Sequence, residues 1–140
     1  GYVKEKGQYS KEGDKTGLWK TFYPDSTLHG LGHYTNGFYS GEWKIFYPNG
    51  HLKQVGAYNK GQATGFWKLF HPNGHIKEYG TYVEDMKEGA WHQCNDKGEV
   101  ERIIHHNKNL PDGPGWIRHG QENKMQKMLY IEGDPLIIHN

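Results

Sequence analysis

The amino-acid sequence predicts an all-β protein: an elongated antiparallel β-meander of repeated 24-residue hairpins, ending in a divergent C-terminal hairpin. Three observations predict it. Trp19, Trp43, Trp67 and Trp91 recur every 24 residues, and Trp116 follows at 25. The segments that begin at the first three tryptophans, Trp19-Lys20-Thr21-Phe22-Tyr23-Pro24, Trp43-Lys44-Ile45-Phe46-Tyr47-Pro48 and Trp67-Lys68-Leu69-Phe70-His71-Pro72, are aromatic-rich and stop at turn formers. No stretch of useful length carries the apolar period of an amphipathic helix.

Taken in order, the chain starts with a partial copy at Gly7 and Tyr9. Each full unit then opens on Gly-x-Trp, with Gly17, Gly41, Gly65 and Gly89 two residues before the tryptophan. The first strand runs into Pro-Asn-Gly at 48–50 and 72–74, with Pro24-Asp25-Ser26 in the same place. Proline presets φ, asparagine tolerates the second turn position and glycine takes positive φ, as a type I turn with a G1 bulge requires. Ser26 lacks the glycine, so the position is expected to be less demanding there. This loop length places Tyr47 opposite His51, Phe46 opposite Leu52 and Trp43 opposite Val55. Gly-x-Tyr closes each unit at Gly32/Tyr34, Gly56/Tyr58 and Gly80/Tyr82. Glycine weakens a strand interior, so a neighbouring ring lying over each bare glycine is the expected reason for it. Polar stretches such as Asn59–Gly65 return the chain to the next unit. About ten strands at about 4.8 Å spacing follow, or on the order of 45 Å of sheet.

Period-two alternation puts Phe22, Phe46 and Phe70 on one face with Leu28, Leu52, Ile76 and the tyrosines Tyr34, Tyr58 and Tyr82. The tryptophans share the other face with Tyr23, Tyr47, Ile45 and Leu69. Both faces are partly apolar, so either the sheet curls or an aromatic face is left for a partner. Repeated tryptophans are the expected core. The alternative is a contact surface formed by Trp43, Tyr47, Trp67, Trp19, Tyr23 and Trp116.

Units four and five depart from the pattern. Cys94 takes the phenylalanine slot, Asp96-Lys97-Gly98 replaces Pro-Asn-Gly, and His106 takes the tyrosine slot. Cys94 reads as a small buried filler. The chain divides into repeats over 1–104 and a divergent capping hairpin over 105–140 in the same domain, since a terminal unit needs an atypical end. That hairpin runs from Trp116 to Leu136-Ile137-Ile138.

Composition limits the function classes. The 140 residues carry 17 basic and 16 acidic side chains, a balance with no bias toward nucleic acid. One cysteine leaves no internal disulfide framework and no CxxC metal site. No apolar run is long enough for a transmembrane helix. His71 and His75 face each other across a hairpin end, but two ligands fall short of a closed zinc site, and His71 simply replaces a tyrosine ring. Lys20, Lys44 and Lys68 occupy one repeat position. A solvated face is the ordinary reading, and attraction of an acidic partner the functional one. No nucleotide-binding loop, hydrolase elbow or metalloprotease motif is present, so neither catalysis nor a cofactor is expected.

Gly-x-Trp-Lys-x-Phe-Tyr-Pro-Asn-Gly-x-Leu-Lys-x-x-Gly-x-Tyr resembles the MORN-variant repeat, especially the form in the YwqK-type antitoxin family. The resemblance is closest over 32–82, good over 7–98 and absent beyond about 104. It implies an elongated hairpin array that acts as a protein-interaction module, in some members paired with a toxin that it blocks. The expected function is therefore a non-enzymatic protein-binding repeat module, the antitoxin or immunity partner of a bacterial toxin, acting by steric inhibition. Carbohydrate or cell-wall binding through aromatic rows, and scaffolding near a membrane, are the alternatives. An antitoxin would be cytoplasmic, whereas a signal peptide removed before Gly1 would mean secretion.

Overall fold

A computed structural model describes residues 4–118 and 124–137. The first seven strands are β1 (Glu5–Tyr9), β2 (Lys15–Phe22), β3 (Leu28–Thr35), β4 (Phe38–Phe46), β5 (Leu52–Asn59), β6 (Gln62–Phe70) and β7 (Ile76–Val83). Next come β8 (Met86–Cys94), β9 (Val100–Asn107), β10 (Leu110–Arg118), β11 (Met125–Ile131) and β12 (Asp134–Ile137). All twelve form one antiparallel sheet in sequence order, an open meander about 53 Å across at about 4.8 Å per strand. The protein is all-β, as the repeat predicts, and Ile138 lies outside the described residues.

Two kinds of turn alternate. In the Pro-Asn-Gly loops the Tyr47 amide donates to the His51 carbonyl at 2.8 Å and the Gly50 amide to the Tyr47 carbonyl at 2.9 Å. The Asn49 side-chain oxygen accepts from the His51 amide at 2.9 Å, which fixes the loop from inside. Ser26 adopts φ +71°, in the same left-handed region as Gly50 at +91° and Gly74 at +95°. The position is therefore as demanding in the first unit as in the others. The return turns are two-residue type I′ hairpins, with both central residues at positive φ: Asn36-Gly37, Lys60-Gly61, Glu84-Asp85 and Lys108-Asn109. The polar stretch after Asn59 is thus mostly strand, since β6 starts at Gln62 and buries Ala63.

Register differs from the sequence expectation at one point in each unit. Tyr47 faces His51, and Phe46 pairs with Leu52. A bulge then shifts the ladder by one, so Trp43 pairs with Gly56 and Lys44 with Val55. Because a one-residue shift exchanges faces, Tyr34, Tyr58 and Tyr82 join the tryptophans rather than the phenylalanines. Tyr34 stands edge-on between Trp19 and Trp43, with centroids at 5.8 and 5.2 Å.

That displacement builds the core. Trp19, Trp43, Trp67 and Trp91 are only 3, 7, 4 and 1% exposed, although the sheet is a single layer. Each indole lies flat over a glycine of the preceding strand: Trp19 over Gly7, Trp43 over Gly32, Trp67 over Gly56 and Trp91 over Gly80. A methyl group at any of these glycines would overlap the ring. Tyrosine edges close the flanks, and the residue four before each tryptophan contributes a cover. Lys15 and Lys87 each place Nζ 4.6 Å from an indole centroid, and Tyr39 packs on Trp43 at 4.8 Å. Burying four indoles this way stabilises by several kcal/mol each on the usual scale for aromatic truncation, about 3–5.

Candidate interaction surface

The six sequence-predicted contact residues separate into three situations. Trp19, Trp43 and Trp67 are buried, and the indole N–H groups donate to backbone carbonyls: Trp43 to His33 at 2.8 Å and Trp67 to Thr64 at 3.1 Å. Trp19 is shared between Gln8 and Thr16 at 3.1 and 3.2 Å. They shape the sheet from within and present little area. Tyr23 and Tyr47 are half-buried, and their hydroxyls bridge repeats by donating to the carbonyls of Phe46 and Phe70, the latter at 2.6 Å. His71, in the same slot, places Nε2 3.1 Å from the Cys94 carbonyl, so it takes over the tyrosine hydrogen bond as well as its ring. Asn49 and Asn73 add a second ladder along this rim, donating to Pro72 and Asp96 at 2.8 and 2.7 Å.

Trp116 is different. Its 25-residue offset places it on the opposite face of the sheet, half-buried and paired with Ile103 and Lys127. Gly115 takes the tryptophan's place in the core, and Ile104 stands at the position held by glycine in units one to three. Tyr130, 8% exposed, reaches contact distance of Gly115, where the Ile103 carbonyl leaves no room for a methyl group, and Ile104, Met128 and Ile117 complete this second cluster.

The face away from the buried tryptophans carries one continuous cross-strand row. From β1 to β11 it reads Lys6, Lys20, Leu31, Lys44, Val55, Lys68, and then Tyr79, His92, Ile103, Trp116, Lys127. The row changes character midway, from lysine and aliphatic, alternating between Lys20 and Lys68, to largely aromatic. Tyr79 and His92 stack at 4.6 Å with planes 4° apart. Burial, then the nearby His105, lowers the His92 pKa below its ordinary value. Beside the row, Leu18 and Phe66 are 48 and 54% exposed. The repeat spacing showed the lysines, but their alternation with Leu31 and Val55 depends on the register shift and was missed.

The remaining buried or half-buried titratable groups with shifted pKa values behave as packing groups. Burial, reinforced by Tyr39, pushes the Tyr34 hydroxyl up to about 12, and burial also raises Tyr58 and Tyr82. His106 continues the tyrosine row 6.5 Å from Trp91, and burial, then Lys87, lowers its pKa. Cys94 is buried opposite Val100, and burial raises its thiol pKa, which suits a filler rather than a nucleophile. Among the described residues no group of three or more His, Cys, Asp or Glu side chains could hold a metal ion. No helix among them is long and apolar enough to cross a membrane.

Residues 15–36, 39–60 and 64–84 each match the family described as MORN repeat variant. No curated protein matches the chain at a significant level. The three matched segments each span a β-hairpin of the sheet, from β2 to β7. The tryptophan, turn and Gly-x-Tyr positions are in register across the three successive segments that match the MORN repeat variant.

Proposed function

We propose that the chain is a non-enzymatic protein-binding repeat module that inhibits its partner sterically, with a bacterial toxin as the partner class. MORN repeats in general serve as modules that bind proteins or membranes. The observation that carries the protein-binding reading is that the core is completed on one face of a single sheet, leaving the opposite face as a continuous ordered surface. Leu18 and Phe66 remain about half exposed on that surface, and Phe38 and Leu110, at 59 and 55%, stand near the return turns. Apolar side chains that join into a patch among polar ones mark a contact surface, and Phe66 joins Tyr79 of the row with ring centroids 6.0 Å apart. The shape supports the steric part of the proposal: a plate tens of ångströms long would cover an active site without supplying a reactive group.

Carbohydrate binding needs exposed rings to stack on sugar faces, and the four repeat tryptophans lie flat against glycines instead. The test is co-expression with the product of the neighbouring gene. The proposal expects that product to be harmful alone, harmless with this chain, and to co-elute with it as a stoichiometric complex. A complex without toxicity would remove the antitoxin role and keep the protein-binding one. Absence of any complex would overturn both.

A further inference from the structure

We infer that the lysine–aliphatic half of the exposed row, from Lys6 to Lys68, is a docking track for an acidic amphipathic α-helix of a partner protein; this deepens the protein-binding reading and rests on it.

The chemistry of the track comes from its alternation. Lys20, Leu31, Lys44, Val55 and Lys68 stand directly opposite one another on five consecutive strands. Adjacent strands are about 4.8 Å apart, so the lysines repeat every 9.6 Å or about that, with an aliphatic side chain halfway between. The ligand must therefore offer an acidic group and an apolar group in turn at the same spacing. An α-helix does so: successive turns rise about 5.4 Å, and residues seven apart return to one face after about 10.5 Å. Acidic residues at heptad spacing, with an apolar residue one turn on, meet the lysines and the aliphatics alternately. An extended chain fails, because three residues span about 10 Å and its side chains alternate between faces. A polyproline helix repeats at about 9.3 Å and meets the lysines, but leaves Leu31 and Val55 without apolar contacts.

Charge and shape agree with that occupant. Lys6, Lys20 and Lys68 are exposed and make no ion pair among the described residues, while Lys44 is 3.5 Å from Glu42. The track is thus positive overall despite the near-neutral chain. Two hollows open along it. One of about 650 Å³ is lined by Lys6, Gly7, Leu18, Lys20 and Phe22. The other, of about 250 Å³, is lined by Glu42, Val55, Gly56, Ala57, Phe66 and Lys68, so the Lys68 ammonium there must outweigh one carboxylate. Each combines a lysine with an apolar side chain, as an acidic–apolar ligand face requires. The aromatic half of the row, beyond Tyr79, has no such alternation and lies outside the track.

The test uses the whole 140-residue chain and a fluorescein-labelled synthetic helix with Glu at every seventh position and Leu one turn from each. Binding is read by anisotropy at low and high salt, beside a control peptide carrying Gln for Glu. Triple charge reversal, Lys20→Glu, Lys44→Glu and Lys68→Glu, should weaken binding about tenfold or more, since each exposed pair contributes modestly and the three add. These side chains lie on the surface, so the melting temperature should stay within a few degrees, which separates lost binding from lost folding. Equal binding of the Gln control, or no effect of charge reversal, overturns the track. So does preference for anionic phosphatidylserine vesicles over the peptide, which would make the row a membrane contact. A partner from the co-expression test that binds the triple variant undiminished overturns the track while leaving the protein-binding reading in place.

Discussion

The repeats from β2 to β8 and the strands from β9 to β12 solve one packing problem in opposite ways. In the repeats a tryptophan on the even-numbered strand lies over a glycine on the strand before it, as Trp67 does over Gly56. At the C-terminal end a glycine, Gly115, stands in the tryptophan's place; a methyl group there would meet the Ile103 carbonyl first, and the Tyr130 ring of the following strand lies at contact distance. Ile104 fills the position glycine had left empty. The difference shows that the thin sheet can also bury a cluster without a tryptophan, from Ile104, Met128, Tyr130 and Ile117. It also releases Trp116 to the other face. A tryptophan that looks like the fifth of a series is therefore the first of a different surface.

The largest expected effect tests this contrast. Trp67→Ala should cost about 3–5 kcal/mol, as full truncation of a buried aromatic does, while Trp116→Ala should cost about 1–2. Urea unfolding followed by circular dichroism measures both, and equal losses would place Trp116 in the core after all. At the turns, Gly50→Val should cost about 1–2 kcal/mol, because a β-branched residue resists the +91° φ found there.

The same contrast extends to pH. The tyrosine row of the repeats ends in His106, which burial holds toward its neutral form, below the ordinary value of 6.5. A histidine whose folded pKa is depressed contributes stability that is present above its unfolded value and lost as pH falls through the folded one. Acidification below about pH 6.5 should therefore destabilise the wild-type chain. His106→Tyr, which restores the residue of the earlier units, should remove the His106 share and leave that of His92, whose pKa is also lowered. Melting temperatures of the two chains should converge least at acid pH; a constant difference from pH 5 to 8, or about that, would mean that His106 does not titrate with unfolding. The smallest effect is a gain: Ser26→Gly should stabilise by about 0.5–1 kcal/mol, because Ser26 already adopts φ +71°. No gain would mean that the serine is relaxed in that turn.

How much of this was legible depended on whether a signal was periodic or local. The tryptophan spacing, the Pro-Asn-Gly loops and the ring over Gly-x-Tyr could all be read, because each repeats and each has a steric cause. The bulge that follows Leu52 could not, since Lys53 is an ordinary polar residue with no turn chemistry of its own. Missing that single residue moved Tyr58 to the wrong face and placed Trp43 opposite Val55 instead of Gly56. The glycines that precede the tryptophans were visible but unexplained; Gly41 and Gly65 hold φ +64° and +72° with open space around them, so backbone conformation alone requires them. The Trp116 offset was also visible, as 25 instead of 24 residues, and in a strand an odd step means the other face.

The central claim is that Gly7, Gly32, Gly56 and Gly80 are bare because an indole occupies the side-chain space of each. A double-mutant cycle between Gly56 and Trp67 tests it most directly. Gly56→Ala in the wild-type chain should cost about 1–3 kcal/mol, as overpacking against the indole does. In a Trp67→Ala background the same methyl group should cost nearly nothing, since the ring it would overlap is gone. A penalty of the same size in both backgrounds would contradict the account and make Gly56 a requirement of the backbone alone.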